Sequence, residues 1–400
     1  MFKWNKPFNM VMNIKNDYMN KTNNFDNINF EEWVEYLDEE KYNNFVEPLQ
    51  FNQTGKFLLI RYGLADMQRG MWEDKNSIYR QCRSVVIDLD KEQLVLTPFR
   101  KFFNLNEVDE NSLDNIYKEI KNANIIEISN KLDGSMQSLR YYNNDYFMSG
   151  SMALEKEFSW RLEDGYSMLR NNHRIMVKEN SNYTFIFEYI SIKDAHVVIY
   201  NKKEEGLYLI GIVDVFSGYE LPYSEIIEFS KKYNIKTTVV ENKTIDDILK
   251  LSKTMKSNEK EGWVINIDGH KVKLKCDDYV SLHRLLDRLS SVNLIIESVA
   301  DNKFDDLISK VPEVYRDRIL KIYNTIIEYR KVSNDYIDDM YKNAPKLNRK
   351  IFMIWVTENV TYKYQSYVRN KYMGRDYNVL KSHSGQYKKM KQILDEDVRR

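Results

Sequence analysis

The stretch with the clearest chemical content is Asn130-Lys131-Leu132-Asp133-Gly134-Ser135. It lies between two strand-like runs, 124–129 and 136–142, and reads as the turn of a hairpin. A lysine, one spacer, an acid, a glycine and a serine can make a site of covalent nucleotidyl transfer. Lys131 would attack the α-phosphorus of a nucleoside triphosphate and carry the nucleotide as a phosphoramidate. The plain alternative is a charged turn, since Asp-Gly is an ordinary hairpin dipeptide. The choice depends on whether the chain supplies what else a triphosphate needs.

A lysine nucleophile must first lose its proton. At a reference pKa near 10.4, roughly one lysine in a few thousand is neutral at pH 7. Positive neighbours or desolvation must lower that value. The site must also shield the triphosphate and hold a divalent metal. Lys273 and Lys275 alternate in Lys271-Val-Lys-Leu-Lys275, so they share one strand face, with Lys271 nearer the turn. They are candidates for depressing Lys131 and for binding phosphate. Glu261-Gly262 opens the preceding strand. The acid could help hold the metal, and the glycine permits close approach. Glu188 stands among aromatics in the run 183–190, where a buried carboxylate is costly unless paired or metal-linked. Arg83 and Lys101 flank the first group of strands and can reach phosphates. Asp133 would orient Lys131 or a ribose hydroxyl. Lys-x-Asp-Gly alone is a weak motif; the ordered set of lysine, acid, Glu-Gly and paired lysines is much stronger.

The elements that must position these residues are legible as alternation. Strands are predicted over 56–62, 84–90, 94–97, 146–152, 183–190, 197–200, 207–216, 262–267 and 271–275. Helices are predicted over 30–37, 158–169, 224–233 and 245–256. The polar, Asn-rich residues 1–28 read as a loose N-terminal arm. After about residue 281 the apolar spacing turns helical, with Pro312 and Pro345 marking helix starts or connections. The expected architecture is therefore α+β, with a mostly antiparallel catalytic domain over 29–284 and an all-α domain over 285–400.

Composition sets outer bounds. The 400 residues are 42% hydrophobic and 13% aromatic, ample for two packed cores. The 60 basic and 60 acidic residues cancel, so a nucleic-acid surface must come from local segregation of charge. One such place is 361–400, with ten Lys/Arg, four Asp/Glu and six Tyr. It suits either a solvated helical face or an RNA-contacting surface. Two cysteines, Cys82 and Cys276, form no disulfide framework or zinc site and fit a reducing compartment. No secretion signal is expected, and no apolar run is long enough to span a membrane, so the expected location is cytoplasmic.

In detail the ordered set resembles the phage RNA ligase 1 family, the tRNA-repair type within the covalent nucleotidyltransferase superfamily. The resemblance runs over about 55–285. It rests on Cys82-Arg83, Lys101-Phe102-Phe103-Asn104-Leu105-Asn106-Glu107, Lys131 to Ser135, Phe187-Glu188, Glu261-Gly262-Trp263-Val264, Lys273-Leu274-Lys275 and Tyr279-Val280-Ser281-Leu282-His283. It implies an antiparallel, ATP-grasp-like ligase domain that joins RNA 3′-OH and 5′-phosphate ends with ATP and Mg²⁺, or Mn²⁺. Lys131 would take AMP. Arg83, Lys101, Lys273 and Lys275 match phosphate-binding positions. Glu188 and Glu261 match acids around nucleotide and metal, and Tyr62 matches a tyrosine near the nucleotide. Asp305 matches an acid reaching the metal from the helical domain. The implied partner is cleaved tRNA, handled by a monomer in the host cytoplasm of a phage or virus. The chain has no GxxxxGK[ST] loop, so a separate kinase-phosphatase would heal the ends.

Two positions depart from the family pattern. Where a basic residue in a Ser-basic-Gly-Ser context is usual, Tyr146 to Ser151 places Met148 or Ser149, leaving Lys156 as a substitute. Beyond Glu188 an arginine is usual, and here Lys193-Asp194-Ala195-His196 stands, with His196 either a stand-in or a packed histidine. The competing readings are a catalytically inactive RNA-binding homologue and a GTP-using capping-type enzyme. The helical continuation disfavours capping and duplex-DNA ligation, whose enzymes continue into an OB module.

Overall fold

The computed structural model describes residues 5–22, 33, 35–36, 49–63, 71–154, 156–194, 196–290, 292–311 and 313–381. The chain divides into two compact units, 1–280 and 281–400.

The first unit begins with a helix, α1 (Lys6–Thr22), not a loose arm. Phe8, Val11, Met12 and Tyr18 recur at helical spacing and are buried against Leu58, Ile60, Val85 and Ile87. The Asn5 side chain caps its start, accepting from the Phe8 N–H at 2.8 Å. Asparagines and lysines between the apolar positions mask this pattern in the sequence. The helix expected over 30–37 falls mostly outside the described residues.

Those partners belong to the first sheet, an antiparallel meander of β1 (Leu49–Thr54), β2 (Phe57–Tyr62), β3 (Arg83–Asp88) and β4 (Gln93–Leu96). A one-turn helix, α2 (Ile78–Gln81), leads into β3. After β5 (Phe103–Asn104), α3 (Leu113–Asn122) leads to β6 (Ile126–Lys131). Then come β7 (Ser135–Tyr142), β8 (Asp145–Gly150), α4 (Trp160–Ser167), α5 (Asn171–Glu179), β9 (Tyr183–Ile190) and β10 (Gly206–Asp214). Helices α6 (Tyr223–Tyr233) and α7 (Ile245–Thr254) precede β11 (Gly262–Ile267) and β12 (His270–Lys275).

The second sheet has the order β10-β9-β7-β8 and the third β5-β12-β11-β6. All pairings are antiparallel except β5 on β12. The second sheet buries Leu139, Phe185, Phe187 and Leu209 with Leu162, Met176 and Ile226 of its helices. Its β7 and β8 also meet the first sheet through Leu59, Val86, Leu96 and Tyr142.

One expectation about the Lys131 segment is overturned. β6 and β7 are not a hairpin: β6 pairs with β11, and β7 pairs with β8 and β9. The chain crosses from the third sheet to the second between Lys131 and Ser135. A true hairpin does lie between β11 and β12, where Asp268 and Gly269 take φ of 47° and 93°, as a tight primed turn requires. The strand expected over 197–200 is also absent. The Val197 and Val198 N–H groups instead donate to the Asp133 carboxylate, each at 2.8 Å.

The second unit is all helical. Helix α8 (Asp277–Ser290) runs into it, followed by α9 (Val292–Ala300), α10 (Phe304–Ile308), α11 (Glu313–Asn343), α12 (Arg349–Asn359) and α13 (Tyr362–Tyr372). Its core includes Ile295, Ile326, Ile337, Phe352 and Val368. Tyr364 and Tyr367 of the basic stretch are buried in that core, whereas Tyr362 is 89% exposed. Residues 382–400 of the same stretch lie outside those described. Asp305 stands in the first turn of α10. Among the described residues no helix is long and apolar enough to cross a membrane.

Candidate active site

Strand register builds one wall of the site. Across the third sheet Lys131 pairs with Gly262 and Gly262 with Lys275; two residues along, Ser129, Val264 and Lys273 form the next row. Because side chains alternate, these rows share one face. That face and residues of the second sheet enclose a cavity of about 370 Å³. Lys131, Lys273, Lys275 and Arg83 give it a cationic end. Met136, Ile210, Leu221 and Ile226 give it an apolar one. A polyanion joined to a flat apolar base matches that division.

Glu261 is the electrostatic centre. It is 2% exposed and accepts from the Lys131 Nζ at 2.6 Å and from the Lys275 Nζ at 2.9 Å. Burial pulls the Lys131 pKa down, but Glu261 and Glu188 outweigh it and hold the ammonium above its ordinary value. The cavity lysine depressed in this state is therefore not Lys131. It is Lys273, lowered to about 6 by burial and then by Arg83, Lys131, Lys101 and Lys275. Its Nζ lies 4.4 Å from the Phe102 ring centre, with the Arg83 guanidinium 5.2 Å from the same ring. Glu188 is pushed up to about 7 by burial, with Lys131 opposing.

Two glycines permit this approach. Gly262 has φ 153°, and a Cβ there would stand 2.0 Å from the Leu274 carbonyl oxygen. A Cβ on Gly134 would stand 2.3 Å from the Tyr189 carbonyl oxygen. The Gly134 N–H donates to Glu188 at 3.0 Å, tying the crossing to β9.

Asp133 is placed away from the cavity wall. Besides the two backbone N–H groups, its carboxylate accepts from the Tyr279 hydroxyl at 2.7 Å. Its own N–H donates to the Tyr200 oxygen at 2.9 Å. It anchors the segment after Lys131 and does not line the cavity. Lys101 and Tyr62 are likewise off the cavity wall. The Lys101 ammonium sits 5.1 to 5.5 Å from the ring centres of Tyr62, Trp72 and Phe103. Asp305 belongs to the other unit and is placed only within it.

Ser149 is fully buried and Met148 packs in the core of the second sheet. Lys156 lies over the Tyr166 ring, 5.1 Å from its centre. His196 is half-buried outside any strand, its Nε2 3.4 Å from Asp194. Burial opposes ionisation of Asp194, but hydrogen bonds from His196, Ser135 and Arg161 win and lower its pKa to about 2. The sequence reading missed Phe102 and Asp194. Phe102 stood in the quoted aromatic-basic run without a role, and no spacing rule links Asp194 to Ser135.

The residues present fit a nucleotide. The Arg83 Nη1 is buried without a hydrogen-bond partner among the described residues, a donor an anion would satisfy. For a metal, no group of three His, Cys, Asp or Glu comes together among the described residues. Glu188 keeps one carboxylate oxygen without a hydrogen-bond partner among the described residues, whereas both Glu261 oxygens hold lysines.

Antiparallel sheets enclosing such a chamber, followed by a helical unit, make the α+β architecture of a ligase nucleotidyltransferase fold. Residues 81–279 match the model of a family described as RNA ligase. Over this segment the chain belongs to the phage RNA ligase 1 family. Solved structures give distant likenesses. Naegleria gruberi RNA ligase with pyrophosphate is 20% identical over 42% of this chain, at a TM-score of 0.34. A mutant of the same Naegleria ligase, solved with ATP and Mn, is 19% identical over 42%, at 0.35. The match spans 55% of the length of those Naegleria chains. A candidate ATP-dependent DNA ligase from Aquifex aeolicus is 13% identical over 74% of this chain and 72% of that one, at 0.43.

Proposed function

We propose that the chain is an ATP-dependent RNA ligase that joins 3′-OH and 5′-phosphate ends through a lysyl-AMP intermediate. The observation that carries this is the Lys131 Nζ, held 2.6 Å from Glu261 at the cationic end of a nucleotide-sized chamber. Lys131 attacks the α-phosphorus of ATP, a P–N bond forms and pyrophosphate leaves. The RNA 5′-phosphate then displaces Lys131, and the 3′-OH displaces AMP.

The chain's own residues set the stage. Arg83, Lys273 and Lys275 draw the phosphates in, and the phosphates then compete with Glu261 for the Lys131 and Lys275 ammoniums. Glu261 is the group placed to take the Lys131 proton. Glu188, together with triphosphate oxygens and water, would hold a divalent ion such as Mg²⁺, which neutralises phosphate charge. The family supports RNA as substrate, and the tRNA-repair resemblance supports a broken anticodon loop. A separate kinase-phosphatase then supplies the ends.

The test is incubation with labelled ATP and Mg²⁺. An acid-stable AMP adduct is expected, absent in Lys131→Ala. No adduct on a folded wild-type chain overturns the reading, and labelling by GTP instead of ATP reassigns it to capping chemistry. Sealing of a nicked tRNA stem-loop better than of linear RNA supports the repair role.

A further inference from the structure

Beside the nucleotide chamber lies a second cavity, of about 530 Å³. The two share Ser135, Met136 and Ser151 on their walls, so one opens beside the other. The second runs between β1, β7, β8 and the start of α4. Its walls carry the amides and hydroxyls of Asn52, Gln53, Thr54 and Ser159, the exposed thioether of Met152, and a cation, Arg161. Among the described residues no carboxylate lines it.

Arg161 is held in place twice. Its carbonyl accepts from the Gln137 Nε2 at 2.7 Å, and its Nε donates to Asp194 at 2.7 Å. The other Asp194 oxygen accepts from the Ser135 hydroxyl at 2.6 Å. One buried carboxylate thus links the cation of this groove to the nucleophile segment. The two terminal nitrogens of Arg161 have no hydrogen-bond partner among the described residues, and the side chain is 49% exposed. It lies over the Trp160 ring, 4.8 Å from its centre, and Trp160 is itself 46% exposed.

Resting on the ligase reading, we propose that this groove seats the single-stranded RNA next to the 5′-phosphate, with Arg161 holding a backbone phosphate. The chemistry requires a strand on this side. Displacement at phosphorus is in line, so the RNA phosphate must approach the AMP opposite Lys131. Lys131 projects from the third sheet, and the groove opens at the second. Neutral donors and acceptors, one fixed guanidinium and an exposed indole suit a ribose-phosphate strand with an unpaired base.

The test uses the full chain, labelled on Lys131 with AMP before RNA is added. Arg161→Ala and Met152→Asp are each expected to lower single-turnover transfer of AMP to a 5′-phosphorylated single-stranded RNA about tenfold, per AMP on the protein. Both should weaken binding of that RNA by a similar factor in fluorescence anisotropy, and Arg161→Lys should restore part of each loss. Met152 is 56% exposed, so its variant separates a groove effect from misfolding. Wild-type transfer and binding in both variants overturn the groove. If the wild type takes no AMP label, the ligase reading falls while the anisotropy comparison still decides the groove.

Discussion

At the scale of single residues, the free site keeps its proton on the lysine that the proposed reaction needs neutral. Glu261 and Glu188 keep Lys131 charged, while Lys273 is neutral above about pH 6. Removing the Glu261 charge takes away the largest opposition to burial and leaves Glu188 and Asp133 to resist it, so the Lys131 pKa falls. The acid limb of the labelling pH profile should therefore move to lower pH in Glu261→Gln, whatever happens to the maximal rate. A shift to higher pH would contradict the assigned ion pair. Lys273 makes a second expectation. In the free protein it binds fewer protons than an exposed lysine between about pH 6 and its ordinary 10.5, so it lowers folding stability as pH falls through that window. Lys273→Met should raise the Tm of the free protein at pH 7 while reducing AMP labelling. A triphosphate should recharge Lys273, so ATP binding at pH 7.5 should take up protons. Calorimetry in buffers of different ionisation enthalpy reads that uptake, and Lys273→Met should diminish it.

Among elements, the decisive feature is the crossing from β6 to β7. Its geometry depends on Gly134 and Gly262, where a methyl group would run into backbone carbonyls. Gly262→Ala should cost about 2 kcal/mol or more in urea unfolding, as expected when backbone must shift to relieve a buried clash. The Asp133 clamp should behave as a unit. Asp133→Ala and Tyr279→Phe should each slow labelling, and the double variant should be little worse than Asp133→Ala alone, because Tyr279 then has no carboxylate to hold. Additive losses would place Tyr279 in another role. The sequence suggested an orienting role for Asp133. It could not show that the tether runs to Val197, Val198 and Tyr279, since long-range backbone donors leave no spacing signal.

For the whole molecule, each unit has its own buried core. A chain ending after residue 290 keeps every residue assigned to AMP transfer and is expected to label with ATP. It should lose more sealing on a tRNA stem-loop than on linear RNA. Equal loss on both would argue against RNA selection by 281–400.

Much of the strand and helix pattern was legible, because burial of one face imposes alternation or helical spacing on the residues themselves. The rows that put Lys131, Lys273 and Lys275 on one face follow from that alternation once register is known. The α1 helix was hidden by polar residues between its apolar positions, which only a sheet to pack against reveals. Which sheet each strand joins, and hence that β6 and β7 part company after Lys131, is a choice among long-range pairings with similar local energies. The protonation of Lys131 and Lys273 was likewise decided only in three dimensions. Charge depends on distance to Glu261 and on exclusion of water, and neither is a property of the sequence order.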